Sequence, residues 1–341
     1  MNPALPLLEV APLAFSAVLV LTPPTRRLAR AIGYVDHPET RKSHAEPTPL
    51  LGGLAVGLAL IAGPMLARTF ASSAIQPPRI GLVVGALIAL TLGLLDDRLP
   101  LGPRGKLLGQ ALAAACLVWW GTDVEAIRQN LLLGILAMIG VTTLLNAVNF
   151  LDNMDGILGS VIPITAGGFV ALGLIHGAPV ELALAWGLVG ACSGFLVYNA
   201  PPARIFLGDA GSHLLGFALA ALAFQSLEGS LTWPHVAALI VILAYPIFDA
   251  VFVVVDRILG NRPIYLGSMD HTTHRLGRVV GQWRMLGILV LATCVNAGAG
   301  VWMWGRSDPL SIVVPLCGLG LLYAIFAVFL RRISPTSQFV I

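Results

Sequence analysis

The feature that most constrains this chain is a series of apolar stretches with few charges, several approaching the length that crosses a bilayer, separated by short polar loops. The run from Leu131 to Leu145 carries no charged residue. Such stretches read as transmembrane helices, which need roughly 20 apolar residues. Eleven candidates are present, at about 6–22, 50–67, 79–95, 107–120, 131–149, 158–176, 181–198, 212–228, 235–255, 285–304 and 310–330. Only 11% of the residues are charged, against about 25% in soluble domains. The expected fold is therefore all-α: a polytopic membrane protein of about 10–11 transmembrane helices, in one transmembrane domain over residues 1–341. The first apolar run lacks a basic leader and a small-residue cleavage site, so it reads as a retained span. Cys116, Cys192, Cys294 and Cys317 each lie inside an apolar run, which points to small hydrophobes and not to a disulfide framework or metal cluster.

Basic residues set the expected orientation. Of the 20 Lys and Arg, 16 fall in one alternating set of loops, at about 23–49, 96–106, 150–157, 199–211 and 256–284, plus the tail from 331. Only Arg68, Arg79, Arg128 and Arg306 fall in the other set. The first set reads as cytoplasmic, with the N-terminus outside and the C-terminus inside. Every polar cluster with chemical character lies on that side, and the outer loops look short and bland. A transporter would keep ionisable groups near mid-membrane and show internal repeats. Neither pattern is evident, so an active site at the inner membrane face fits better.

The clusters themselves specify the chemistry. Asn146, Asn149 and Asp152 or Asn153 share one face if the helix continues past Leu145, and Asp155-Gly156 follows. Asp96-Asp97 ends another apolar run, with Lys106 and Gln110 beyond it. Adjacent carboxylates at a membrane boundary suit Mg²⁺ binding or base catalysis. The ordinary alternative is a solvated helix end neutralised by Arg98 and Arg104. Arg204-Ile-Phe206-Leu-Gly208-Asp209-Ala-Gly211-Ser212 offers glycines for close phosphate approach, a hard oxygen ligand at Asp209 and an aromatic ring at Phe206. The plainer alternatives are a helix cap at Asp209 and core packing at Phe206. Lys42 and His44, in the loop that ends at Gly52-Gly53, suit phosphate or lipid-phosphate binding, or simply mark a positive-inside loop. His271, His274 and Arg275 share a helical face suited to a polyanion. A zinc site is a weak rival there, and a basic loop resting on anionic lipid is the plain alternative. Asp249 and Asp256 flank the end of the ninth span, either bonding neighbouring helices or serving the site. Hard-cation ligands beside basic groups imply a metal-bound phosphate or diphosphate, and thus phosphoryl transfer at the membrane surface.

Taken in order, these motifs resemble the polyprenyl-phosphate N-acetylhexosamine-1-phosphate transferases, of glycosyltransferase family 4 type. The shared features are Lys42-x-His44 with Pro47-Thr48-Pro49 and Gly52-Gly53; Asp96-Asp97 with Lys106 and Gln110; and Asn146-x-x-Asn149-x-x-Asp152-x-x-Asp155-Gly156. Phe206-x-Gly208-Asp209-x-Gly211-Ser212 and the final His/Arg loop complete the set, which spans residues 42 to 276. The resemblance implies transfer of a sugar 1-phosphate, N-acetylglucosamine 1-phosphate first among candidates, from a UDP-sugar to polyprenyl (undecaprenyl) phosphate, releasing UMP. This would be the first membrane step of cell-envelope polysaccharide synthesis, for example of lipopolysaccharide or teichoic acid. It further implies Mg²⁺, with Mn²⁺ as a substitute, held by Asp209 with Asn149. Asp96 would be base or positioning carboxylate, Asp97 its support, and Lys106 a phosphate ligand. Asp152, Asp155 and Phe206 would read the nucleoside, and His271, His274 and Arg275 the sugar or diphosphate. The protein would sit in the bacterial inner membrane as a multi-pass enzyme, with its active site on the cytoplasmic face. Its partners would be the UDP-sugar, the polyprenyl lipid and a second copy in a homodimer, with no nucleic acid. Two positions depart from the family pattern: Asn153 stands where Gly is frequent after the first acidic residue, and Thr273 replaces one His of the last motif. The missing His argues against the phospho-N-acetylmuramoyl-pentapeptide transferases, the main alternative; a membrane transporter is the second alternative.

Overall fold

The computed structural model describes residues 5–37, 46–70, 79–99, 101–264 and 269–333. The fold is helical, as expected. A short turn of helix, α1 (Leu5–Leu8), leads into α2 (Val10–Ala31), followed by α3 (Gly52–Phe70), α4 (Ile80–Arg98) and α5 (Gly102–Cys116). Next come the short α6 (Glu125–Gln129), α7 (Leu131–Leu151), α8 (Ile157–His176), α9 (Leu182–Asn199) and α10 (Gly208–Ser226). The remainder is α11 (Trp233–Ile242), α12 (Ala244–Leu259), α13 (Thr272–Val280), α14 (Gln282–Trp304) and α15 (Pro309–Arg331). Val35–Asp36 (β1) and Thr48–Pro49 (β2) form a minimal antiparallel pair before α3.

Among the described residues, six helices are long and apolar enough to cross a membrane: α4, α7, α8, α9, α14 and α15. The α11–α12 pair makes a seventh if counted as one span. The straight span expected at 235–255 is instead bent by 76° at Leu243. Pro246 supplies the reason: it lacks the N–H that would bond the Ile242 carbonyl, so the helical ladder fails there. The expected span at 107–120 is α5 plus a π-helical turn over Leu117–Gly121, which ends it at Gly121.

The helix at the centre is α10. Its side chains are buried nearly all round, and small residues such as Gly211, Gly216, Ala218 and Ala221 let its neighbours approach closely. It packs most extensively on α4 and α7. At the other extreme, α15 exposes Leu310, Val314 and Leu321 to the surroundings, as lipid-facing side chains require. Helix ends are specified locally. Asn130 accepts the Leu133 N–H at 3.2 Å to start α7, and Asp308 accepts the Ser311 N–H at 2.9 Å to start α15, with Pro309 at its first position.

The C-terminal ends of α4 and α7 and the N-terminal ends of α3, α5 and α10 meet on one face of the bundle. The opposite face is less bland than its sequence suggests. There Arg79 pairs with Glu228 and, at 3.0 Å, with Asp123, which also meets Arg128 at 2.8 Å. That group ties the start of α4 to the end of α10 and to the loop before α6.

Candidate active site

The meeting point of those helix ends is built around Asp209, in the first turn of α10. Gly208 precedes it with φ +73°, a left-handed conformation that costs glycine nothing. A Cβ there would come within 2.6 Å of Asp97 Oδ2. That close approach brings the end of α4 onto the start of α10. Asp97 accepts the Asp209 N–H at 2.9 Å and the Ala210 N–H at 3.4 Å. It thus caps α10 from a neighbouring helix, where a carboxylate is favoured by the unsatisfied N–H groups and the helix dipole. The cap that the sequence could have assigned to Asp209 is supplied by Asp97, which leaves the Asp209 carboxylate for other partners.

Those partners are the residues the sequence singled out. Lys106 donates to Asp209 Oδ2 at 2.7 Å and pairs with Asp96 Oδ2 at 2.5 Å. Asn149 donates to Asp209 Oδ1 and to Ser212 Oγ, each at 2.9 Å. Asp96 Oδ1 also accepts the Leu101 N–H at 3.0 Å, which fixes the turn between α4 and α5. Asp96, Asp97, Lys106, Asn149 and Asp209 therefore form one connected polar cluster.

A buried polar layer supports it from below. His213, one helical turn beyond Asp209, directs Nδ1 to the Asp209 carbonyl at 2.7 Å and Nε2 to Gln110 Nε2 at 2.9 Å. Gln110 exchanges two hydrogen bonds with Asn146, at 3.1 and 2.7 Å. The sequence reading named Gln110 and Asn146 but missed His213; its i, i+4 relation to Asp209 is the signal that could have found it.

The central loop closes one side. Asp152 caps the end of α7, and its carboxyl is pushed up to about 8 by burial, then by the charges of Asp209, Asp97 and Asp155. Asp155 Oδ2 accepts the Ala203 N–H at 2.9 Å. Asn199, a second residue missed, accepts the Gly156 N–H and donates to the Ile205 carbonyl, both at 3.0 Å. It joins this loop to the segment that leads into Asp209. Phe206 is held by its backbone, its N–H on the Pro49 carbonyl at 2.8 Å and its carbonyl on the Gly52 N–H at 3.0 Å. The Pro-Thr-Pro/Gly-Gly motif is thus the seat of the Asp209 loop. Lys42 and His44, on which a phosphate-binding role was placed, lie outside the described residues.

The His loop reaches the same face. The His271 ring meets Phe150, next to Asn149, edge-on at 5.9 Å, and His274 at 5.8 Å. Thr273 Oγ1 donates to Asn153 Oδ1 at 2.6 Å, so the two residues that depart from the family pattern bond each other. His274 Nδ1 is buried without a partner, and burial followed by the His271 charge pushes its pKa down to about 4.

Arg275 is not brought to the cluster. Its guanidinium is buried and donates to the carbonyls of Asp270 (3.2 Å), Leu330 (3.2 Å) and Ile333 (3.1 Å) and to Asp256 Oδ2 (2.5 Å). Asp256 also holds Arg262 at 2.7 Å and Arg331 at 3.1 Å. The shared helical face expected for His271, His274 and Arg275 therefore divides, because Arg275 turns inward to anchor the end of α15. This answers the question left open for Asp256, which bonds neighbouring helices.

Chemically, the cluster can bind a hard cation and a phosphate. Among the described residues no three His, Cys, Asp or Glu side chains form a ready metal cage. Mg²⁺ requires none, since it takes one or two carboxylates and completes its shell with phosphates and water. Asp209 supplies a hard carboxylate oxygen of the kind it takes. Asn149 presents its amide nitrogen to Asp209, so service as a ligand requires the amide to turn over and offer Oδ1.

Residues 79–227 match the sequence model of glycosyl transferase family 4. The probable undecaprenyl-phosphate N-acetylglucosaminyl 1-phosphate transferase of Bacillus subtilis is 33% identical over 76% of this chain and 74% of its own. The decaprenyl-phosphate N-acetylglucosaminephosphotransferase of Mycobacterium tuberculosis is 31% identical over 84% and 80%. The phospho-N-acetylmuramoyl-pentapeptide-transferase of Shouchella clausii is 29% identical over 87% and 97%.

Proposed function

From the premise that the chain belongs to glycosyl transferase family 4, we propose that it is an enzyme moving N-acetylglucosamine 1-phosphate onto polyprenyl phosphate within the membrane. The donor is UDP-N-acetylglucosamine. A phosphate oxygen of the lipid attacks the sugar-bearing phosphorus, that phosphorus parts from the bridging oxygen, and UMP leaves with the electron pair. The product is polyprenyl-diphosphate-N-acetylglucosamine. The observation that carries the reading is the convergence of Asp96, Asp97, Lys106, Asn149 and Asp209 from four helices at one end of the bundle. The excess of basic residues in the same set of loops argues that this end faces the cytoplasm, where a nucleotide sugar is available.

Phosphoryl transfer depends mainly on positioning and charge stabilisation. Asp209 and the turned Asn149 amide would hold Mg²⁺, which would supply neutralising charge to the diphosphate. Lys106, already poised between two carboxylates, is placed to hold a phosphate oxygen once the donor is bound. Asp96 orients the acceptor phosphate, and Asp97 keeps the start of α10 in place beneath Asp209. Asp152, Asp155 and Phe206 line the side proposed for the nucleoside, and His271 and His274 that for the sugar-phosphate.

Purified protein given labelled UDP-N-acetylglucosamine and undecaprenyl phosphate should yield lipid-linked label and UMP, and Asp209→Asn should abolish both. Product from UDP-N-acetylmuramoyl-pentapeptide alone would refute the donor assignment in favour of the branch that the Shouchella clausii relative represents.

A further inference from the structure

Asp249 is a carboxylate in the apolar stretch of α12, wholly buried, and the reaction described above gives it no task. A charge in such a place is costly unless it is fully hydrogen-bonded. Among the described residues its partners are His271 and Thr272, at the start of α13. Oδ1 accepts the Thr272 N–H at 2.9 Å and the Thr272 hydroxyl at 2.5 Å, and Oδ2 meets His271 Nδ1 at 2.9 Å. Tyr245, one turn earlier on α12, meets the same Thr272 hydroxyl at 3.2 Å. One carboxylate therefore caps α13 and grips the imidazole that immediately precedes it.

We propose that Asp249 is a positioning residue for the transfer reaction: by holding Nδ1–H of His271 it fixes the tautomer and ring plane, so that Nε2 is the atom presented to the donor. A carboxylate only accepts, so Nδ1 must carry the proton. Nε2 then accepts when the ring is neutral and donates when it is protonated, in both cases from one fixed place. The surroundings leave the ring little freedom. Phe150 meets it edge-on from α7, His274 stands beside it on α13, and the Arg257 guanidinium lies over Phe150 at 6.0 Å. Arg257 is itself committed to Asp270, through bonds of 3.1 and 3.0 Å. Asp249 is thus the carboxylate that the structure bonds to the His271 ring. Asp249 lies on α12, past the 76° break at Leu243.

This inference rests on the proposed transferase reaction, and the decisive experiment separates the two. In Asp249→Asn the amide oxygen can still accept from Thr272, but its NH₂ faces Nδ1 and forces the opposite tautomer. The variant should melt close to the wild type in detergent yet lose roughly tenfold or more in kcat. The double variant Asp249→Asn/His271→Asn should be no slower than His271→Asn alone. Wild-type rates in Asp249→Asn, or losses that multiply in the double variant, would overturn the assignment. Should Asp249→Asn not fold, ¹⁵N-histidine spectra of the intact wild-type protein at alkaline pH decide the matter, with the His271 signals identified by their loss in His271→Asn. A proton on Nδ1 is expected; a proton on Nε2 would overturn the proposal. Absence of transferase activity in the wild type would sink the functional reading and leave the tautomer result standing.

Discussion

Gly93 on α4 offers a quantitative test of how tightly the site depends on helix spacing. A Cβ built there would lie 2.2 Å from Ala210 N and 2.3 Å from both Ala210 Cα and the Asp209 carbonyl carbon. Non-bonded contacts involving carbon settle near 3.5–4.0 Å, so Gly93→Ala must part α4 from α10 by roughly 1 Å. The obstacles are backbone atoms, which no rotamer change can move aside. Overpacking of this kind costs about 1–3 kcal/mol. The larger effect falls on catalysis, because the same separation stretches the 2.9 Å bond from Asp209 N–H to Asp97 and moves Asp209 away from Lys106. A misplacement of about 1 Å can cost on the order of 100-fold in rate. Gly140 on α7 is the control. It is exposed, with nothing within 4 Å of its would-be Cβ, and Gly140→Ala should gain about 0.5–1 kcal/mol from helix propensity without affecting turnover. Initial rates of lipid-linked product formation and thermal melts in one detergent would be measured for both variants. Wild-type turnover in Gly93→Ala would refute the claim that the approach of α4 to α10 sets the site.

Further outcomes follow from the same geometry. Arg275→Lys should destabilise the protein by about 3 kcal/mol, because an ammonium cannot replace a fork that serves Asp256 and three carbonyls; an unchanged melting temperature would show the anchor to be dispensable. Asp152 is held protonated in the fold up to about pH 8 but ionises near pH 3.9 when unfolded, so its contribution to stability declines as pH rises through that window. The wild-type minus Asp152→Asn difference in melting temperature, taken without metal, should therefore fall between about pH 4 and 8, and a flat difference would contradict the burial. Lys106→Met should leave the fold intact while abolishing transfer, since Asp96 and Asp209 retain other hydrogen bonds; substantial activity would remove Lys106 from the reaction.

Much of this arrangement was legible because a membrane forces simple geometry. Once apolar runs alternate in direction, the end of one span and the start of the next must share a face, so Asp97, Asn149 and Asp209 could be placed together without knowing the packing. What could not be read was which atoms each would use. Nothing local distinguishes Asp97 as a cap for α10, since its partners lie more than a hundred residues away. Arg275 was assigned by helical spacing to the face of His271 and His274, but the acceptors that turn it inward are Asp256 and the end of α15. The ion pairs of Arg79, Asp123 and Glu228 were overlooked for the same reason, each being unremarked in its own short loop. The bend at Leu243 was partly visible in Pro246, although a proline in a span does not by itself state an angle.

The inward turn of Arg275 bears on how the enzyme is made. Its guanidinium reaches the carbonyls of Leu330 and Ile333, so α13 is fully braced only once residues 330–333 are in place. A ribosome-bound intermediate that had already inserted every carboxylate would still lack the brace for α13. Removing residues 330–333 would therefore take away acceptors that α13 relies on while leaving the carboxylate cluster itself intact.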